Sequence, residues 1–171
     1  MLRFTLPEHK TLVHQTTMPI RWGDMDAMGH VNNASYFRFF ETSRIEWFDS
    51  IGCTPGPDRE GPVIVNAFCN FLIQLEYPGS IVLKHYAANP GRSSFDTYVT
   101  MERVDQPGVI HAEGGAKVVW TDFRAQKSVP IPDFVRALIL ARDWPSAWAA
   151  AAAAVESPEA RVWAAKMPVR W

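Results

Sequence analysis

Near residue 60 the hydrophobic period of this 171-residue chain changes from that of a helix to that of a strand. Upstream, Tyr36, Phe37, Phe40, Trp47, Phe48 and Ile51 recur at helical spacing and predict a long apolar helix over about 33–51. Asn32 or Asn33 can cap its start, because an Asn side chain accepts from an exposed backbone N–H. Gly52 can stop it, since glycine takes positive φ without strain. From Gly61 onward Val63, Val65, Ala67, Cys69, Phe71, Ile73, Leu75 and Tyr77 alternate with polar residues, which predicts one long half-buried strand. Further strands are expected over 80–88, 93–104 and 109–121, parted by Asn89-Pro90-Gly91 and Gln106-Pro107-Gly108. With Pro78-Gly79 as another turn, the four would form an antiparallel meander. A first strand is expected over Leu12–Trp22, held to an edge or bulge by Pro19, and a short helix over about 132–142. One apolar helix and one curved sheet make an α+β domain.

Composition narrows the function classes. Lys plus Arg is 17 and Asp plus Glu is 18, a net charge of −1, which excludes binding of nucleic acid through bulk electrostatics. The longest apolar run, Ala147–Val155, is far short of the roughly 20 residues that span a bilayer. Met1–Lys10 has no apolar segment of the secretory kind, and Cys53 and Cys69 are only two cysteines in a chain of this size, so a reducing, cytoplasmic setting is expected. The composition shifts at residue 143. A domain over 1–142 is expected, followed by an Ala- and Trp-rich helical extension over 143–171, with one helix near 146–155 and another opening at Ser157-Pro158.

The chemistry concentrates in Arg21–Tyr36, where Asp24, Asp26, His30, Asn32 and Asn33 occupy a loop that feeds a helix N-terminus. A helix N-terminus offers unpaired N–H donors and a partial positive charge. Such donors can stabilise an oxyanion developing on a carbonyl, and a carboxylate beside them can act as nucleophile or general base. The same residue types also serve as plain loop and cap formers. The other four histidines, His9, His14, His85 and His111, show no metal-ligand spacing, and neither a metal nor a cofactor is expected.

The segment resembles the hotdog-fold acyl-CoA thioesterases, in particular the 4-hydroxybenzoyl-CoA thioesterase-like group. Asp24, Asp26, Gly29 and Tyr36 match its Asp-x-Asp-x-x-Gly loop and the Tyr on the first turn of its central helix. Glu41, Arg44 and Glu46 resemble its Glu-x-x-Arg-x-Glu, and Gly91-Arg92-Ser93-Ser94 its Gly-Arg-Ser-Ser segment. The likeness covers about residues 12–142. It implies a long central helix wrapped by a curved antiparallel sheet. It also implies Asp26 as the catalytic carboxylate, Asn33 as the position whose backbone N–H polarises the thioester carbonyl, and His30 in the catalytic network. Tyr36, Asn32, Arg92, Ser93 and Ser94 are then candidates for substrate binding. Some bacterial relatives carry His in place of Asn33, and acyl-ACP thioesterases carry Asn in place of Met28, so the split between nucleophile and base stays open. The substrate implied is a thioester of CoA or of a carrier protein. The family places its site between protomers, which implies a homodimer or homotetramer. A hotdog dehydratase or hydratase, and a non-catalytic acyl-CoA-binding hotdog module, are the alternatives. Glu41, Arg44 and Glu46 have the spacing of ion pairs along a helix face.

Overall fold

The structure is a computed structural model, and it describes residues 4–54 and 56–141. The expected tail helices lie outside the described residues. The chain runs β1 (Thr11–Ile20), α1 (Asn33–Ser50), β2 (Glu60–Phe71), β3 (Gly79–Ala88), β4 (Ser94–Arg103), β5 (Ile110–Asp122), β6 (Lys127–Ser128) and α2 (Asp133–Leu140). The α+β expectation holds: a long helix packs on a curved antiparallel sheet.

α1 begins where Asn32 turns its side chain onto the N–H of Ala34 at 2.9 Å. It ends at Gly52, whose φ of +73° is the left-handed conformation glycine tolerates. Its buried side holds Tyr36, Phe39, Phe40, Trp47 and Phe48, whereas Phe37 stands half out of the core. Two apolar clusters fill the space below. Tyr36, Phe39 and Phe40 meet Leu75, Ile81, Leu83 and Met101 near the start of α1. Trp47 and Phe48 meet Phe95, Trp120, Val135 and Leu138 near its end, where α2 closes the sheet. Each such large side chain, fully buried, contributes about 1.5–3 kcal/mol.

The sheet order is β1-β3-β4-β5-β2, with β6 paired to the end of β5. This corrects the expected meander of four. Only β3, β4 and β5 follow one another; β2 pairs with β5 at the far edge. The alternation from Val63 to Tyr77 is not one strand either, since β2 ends at Phe71. There the N–H groups of Leu72 and Ile73 both donate to the carbonyl of His111, which takes the chain off the ladder. Residues 72–78 then carry the chain across β5 and β4 to reach β3, so Pro78-Gly79 ends a crossing and not a hairpin. Leu75 anchors this crossing: its side chain is fully buried and its carbonyl accepts the N–H of Val31. β1 lies at the opposite edge with Pro19 in it, as expected.

α1 rests on β1 and β3. Between its other flank and β2, β4 and β5 a groove of about 430 Å³ stays open.

Candidate active site

The loop between β1 and α1 is built to hold one carboxylate still. Asp26 opens a tight turn in which the N–H of Gly29 donates to the Asp26 carbonyl at 3.2 Å. Gly29 takes φ +80°, which explains a glycine three residues after the acid. The Asp26 N–H donates to the His30 carbonyl at 2.7 Å, and Met25 bridges Val31, closing the loop at its base. Within it, Oδ1 of Asp26 accepts from the backbone N–H of Met28 at 2.8 Å and of His30 at 3.2 Å. Oδ2 has no hydrogen-bond partner among the described residues and stays open to a ligand.

Asp24 has a different task. It is buried, its Oδ2 accepts the Arg21 N–H at 2.7 Å, and its carbonyl accepts from Asn32 N–H and Ser35 Oγ. It ties the end of β1 to the start of α1. Asn32 is likewise occupied: its side chain caps Ala34 and its carbonyl accepts the Ser35 N–H at 2.8 Å. With Ala34 and Ser35 satisfied, the Asn33 N–H is the donor of this terminus that lacks a partner among the described residues.

Asp26, His30, Asn33 and Tyr36 line one cavity of about 350 Å³. Its opposite wall is Phe71, Leu72, Ile73 and Gln74, at the point where the chain leaves β2. Four of the residues singled out from the sequence are therefore brought together, and Asn32 sits behind them as a cap. The wall escapes the sequence reading, although the unbroken apolar triplet Phe71-Leu72-Ile73 interrupts the alternation there. Glu76 also escapes it; its Oε1 stands 3.8 Å from His30 Nε2.

Arg92, Ser93 and Ser94 are not part of this cavity. β3 has Gly79 beside Ile20 at the loop end and Ala87 beside Thr11 at the other. Arg92 follows the far end, one ten-residue strand or about 30 Å from Asp26 in the same chain. There the carbonyls of Arg92 and Ser93 accept the N–H groups of Ile131 and Trp120.

Other nucleophiles are poorly placed. Burial, with Glu113 adding to it, pushes the Cys69 thiol up to about 12, so it holds little thiolate at neutral pH. Burial also raises the Tyr36 hydroxyl, which stays protonated and able to donate. Among the described residues no group of three His, Cys, Asp or Glu side chains is arranged to hold a metal, and no helix is long and apolar enough to cross a membrane.

The family profile of the thioesterase-like superfamily matches residues 20–139, from the last residue of β1 through the loop, α1, β2 to β6 and all but the last residue of α2. The chain belongs to that superfamily. Among solved structures, this thioesterase is similar to the PA2801 protein of Pseudomonas aeruginosa, a proposed thioesterase. The two share 36% identity over 74% of this chain and 97% of that one, with a TM-score of 0.71. A proposed acyl-CoA thioesterase from Xanthomonas campestris is 30% identical over 64% of this chain and 92% of its own, at TM-score 0.59. A thioesterase-superfamily structure from Jannaschia sp. CCS1 is 26% identical over 70% of this chain and 76% of its own, at TM-score 0.61. No protein of curated function matches the chain. The fold is the hotdog of that family, and the enzyme is a thioester hydrolase.

Proposed function

We propose that this thioesterase cleaves acyl-CoA thioesters in the cavity between the Asp26 loop and the Phe71–Gln74 wall. One observation carries the reading: Asp26, whose Oδ2 has no partner among the described residues, and Asn33, whose N–H has none among them either, line the same 350 Å³ space. The thioester carbonyl docks on the Asn33 N–H, where the helix field favours the oxyanion that develops. Asp26 then acts in one of two ways. Its Oδ2 adds to the carbonyl carbon, the C–S bond breaks, and water hydrolyses the resulting anhydride. Alternatively it takes a proton from water, the hydroxide adds, and the thiolate leaves. In both, the thiolate departs as the anion of a weakly basic group, so a strong general acid is not required. His30 and Tyr36 border the carbonyl position as donors.

At least a homodimer belongs to the same reading. β2 is an edge strand with exposed apolar side chains at Val65 and Phe71, followed by exposed Leu72 and Ile73 just past its end, and such an edge invites pairing. Arg92, Ser93 and Ser94 would then serve the partner's cavity, where an arginine suits the phosphates of CoA.

The test is thiol release from short, long and aromatic acyl-CoAs by wild type and Asp26→Asn, with folding checked by circular dichroism. Loss of at least about a hundredfold in kcat by a folded variant is expected, the lower range for a positioned acid–base group. Undiminished turnover by Asp26→Asn would remove Asp26 from the chemistry. Turnover of acyl-carrier esters alone would replace CoA by a carrier protein. Hydration of an enoyl-CoA, or tight binding without turnover, would favour a hydratase or a binding module.

A further inference from the structure

The groove beside α1 holds an arginine, Arg44, with no ion pair among the described residues. Asn33, Phe37, Phe40 and Arg44 follow one another at spacings of four, three and four residues, which sets them in a single row along the helix. The row starts at the N–H that faces the Asp26 cavity. It ends at Arg44, three turns or about 16 Å further along the axis. The 430 Å³ groove takes up this row from Phe37 to Arg44 and opens at Ala34, the residue after Asn33, which itself lines the Asp26 cavity. Ala34, Phe37 and Phe40 form its helix side, and Thr97, Gly115 and Ala116 its sheet side. Thr97 and Ala116 keep that floor low, whereas a Cβ at Gly115 would run against Phe68 and Tyr98.

Arg44 is half-buried in this groove and makes no hydrogen bond or ion pair among the described residues. Burial lowers its pKa from the ordinary guanidinium value, and the charge of Glu41, one turn earlier, works the other way. Among the described residues no ion pair joins Arg44 to Glu41 or Glu46, and Glu46 stands 3.3 Å from His14 Nε2 instead. The groove thus carries Arg38 and Arg44 against Glu41 alone. A guanidinium drawn partly out of water and left unpaired is a place for a carboxylate, whose two oxygens match its fork.

We propose that Arg44 reads a carboxylate at the far end of the acyl group, so that the preferred substrate is the monothioester of a dicarboxylic acid. The proposal rests on the thioester reading given above. With the carbonyl at the Asn33 N–H, the acyl chain lies along Phe37 and Phe40 and its distal carboxylate meets Arg44. Side chains on a helix lean toward its N-terminus, so the guanidinium reaches back toward the site and shortens the span. Glu41 repels the carboxylate from the outer rim and confines it to the Arg44 side. A neutral acyl chain of equal length covers the guanidinium and gives it no counter-charge, which is unfavourable. Discrimination comes from that difference.

The test pairs CoA monothioesters of dicarboxylic acids of increasing length with neutral acyl-CoAs of the same carbon number. Wild type, Arg44→Gln and Arg44→Lys are compared. The expected result is a ratio of kcat/KM values, dicarboxylic over neutral, that falls at least tenfold in Arg44→Gln and is partly kept in Arg44→Lys. A second arm measures binding of the free dicarboxylic and monocarboxylic acids by calorimetry, which needs no turnover. At least tenfold weaker binding of the dicarboxylic acid in Arg44→Gln supports the proposal even if no thioester tried is cleaved, which would count against the Asp26 site alone. Ratios and affinities that Arg44→Gln leaves unchanged would overturn it. So would a change of oligomeric mass in light scattering with the ratio intact, which would give Arg44 to an acid of a second copy.

Discussion

His30 Nε2 stands 3.8 Å from Glu76 Oε1, so the loop histidine of the Asp26 cavity meets an acid from the chain segment that crosses the sheet. The contact joins two parts of the chain brought together by the crossing after β2. Glu76 is 62% exposed along its side chain, and ion pairs of that kind contribute between about 0 and 1 kcal/mol. Glu76→Gln should therefore leave the melting temperature almost unchanged. If the pair orients the imidazole toward the thioester, kcat falls severalfold with KM little altered. The measurement is a full kinetic profile of folded Glu76→Gln on its best acyl-CoA. A KM rise with kcat intact would assign Glu76 to substrate binding.

Asn32 gives a stability prediction that is separable from chemistry. Its side chain satisfies the Ala34 N–H at 2.9 Å and takes no part in lining the cavity. Asn32→Ala should cost about 1 kcal/mol, the usual loss for a cap. In a chain of this size that lowers the melting temperature by about 2–4 °C. Asn32→Ser or Asn32→Asp should restore most of it, since both side chains accept the same N–H. Differential scanning calorimetry of the three variants decides the matter; a loss that Asp and Ser leave unrepaired would mean that Asn32 acts through some other contact.

The legible part of the molecule is the part set by local chemistry. Asn32, Gly29 and Gly52 mark the start of α1, the turn of the loop and the helix end by conformational preference alone. Alternation marks β3, β4 and β5 to within about a residue. The partner of β2 was not readable, because a period of two says which face a residue takes and nothing about which strand lies beside it. The end of β2 was hidden as well: the apolar odd positions continue through Ile73 and Leu75 although the ladder stops at Phe71. There the burial of Leu75 in the core beneath α1 produces the same pattern as a strand would. A register shift between Ile64 and Asn66 further blurs the alternation, and two-residue β6 carries no signal. In the candidate site, the loop spacing brought Asp26, His30, Asn33 and Tyr36 into view. The facing wall depended on the crossing and was not visible. Arg92–Ser94 read as neighbours of the site only through the family resemblance, and in one chain they lie at the opposite end of the sheet.

Gly114 offers a check on how α1 sits over the sheet. A Cβ built there would run into the ring of Phe40 and stand 2.6 Å from the backbone carbonyl of Phe68. β5 thus admits the helix aromatic only because this position has no side chain. Gly114→Ala should destabilise by about 1–3 kcal/mol, the usual cost of overpacking a core. Phe40→Leu in the same background should recover part of that loss by vacating the ring. Urea denaturation of the single and double variants measures the coupling, and strictly additive effects would show that the two residues do not meet in solution.

His85 predicts the pH dependence of stability. It is fully buried on β3, its Nδ1 lies 3.4 Å from Ser43 Oγ, and its Nε2 has no partner among the described residues. Burial first, then the neighbouring charges of Arg44 and His14, depress its pKa well below the ordinary imidazole value. The folded chain thus keeps His85 neutral at a pH where the unfolded chain protonates it. Above about pH 6.5 neither state carries the proton and the stability is fully present. On acidification the unfolded chain gains a proton that the folded chain refuses, and stability falls by about 1.4 kcal/mol per pH unit until the depressed folded value is reached. His85→Gln removes this titration while keeping a polar side chain beside Ser43. The variant is expected to be less stable than wild type at pH 7.5 and to lose less on going to pH 5.5. Chemical denaturation across that range reads the difference directly, because the carboxylates contribute equally to both proteins. Parallel stability curves for wild type and His85→Gln would mean that the buried imidazole is hydrated or already charged in the folded state.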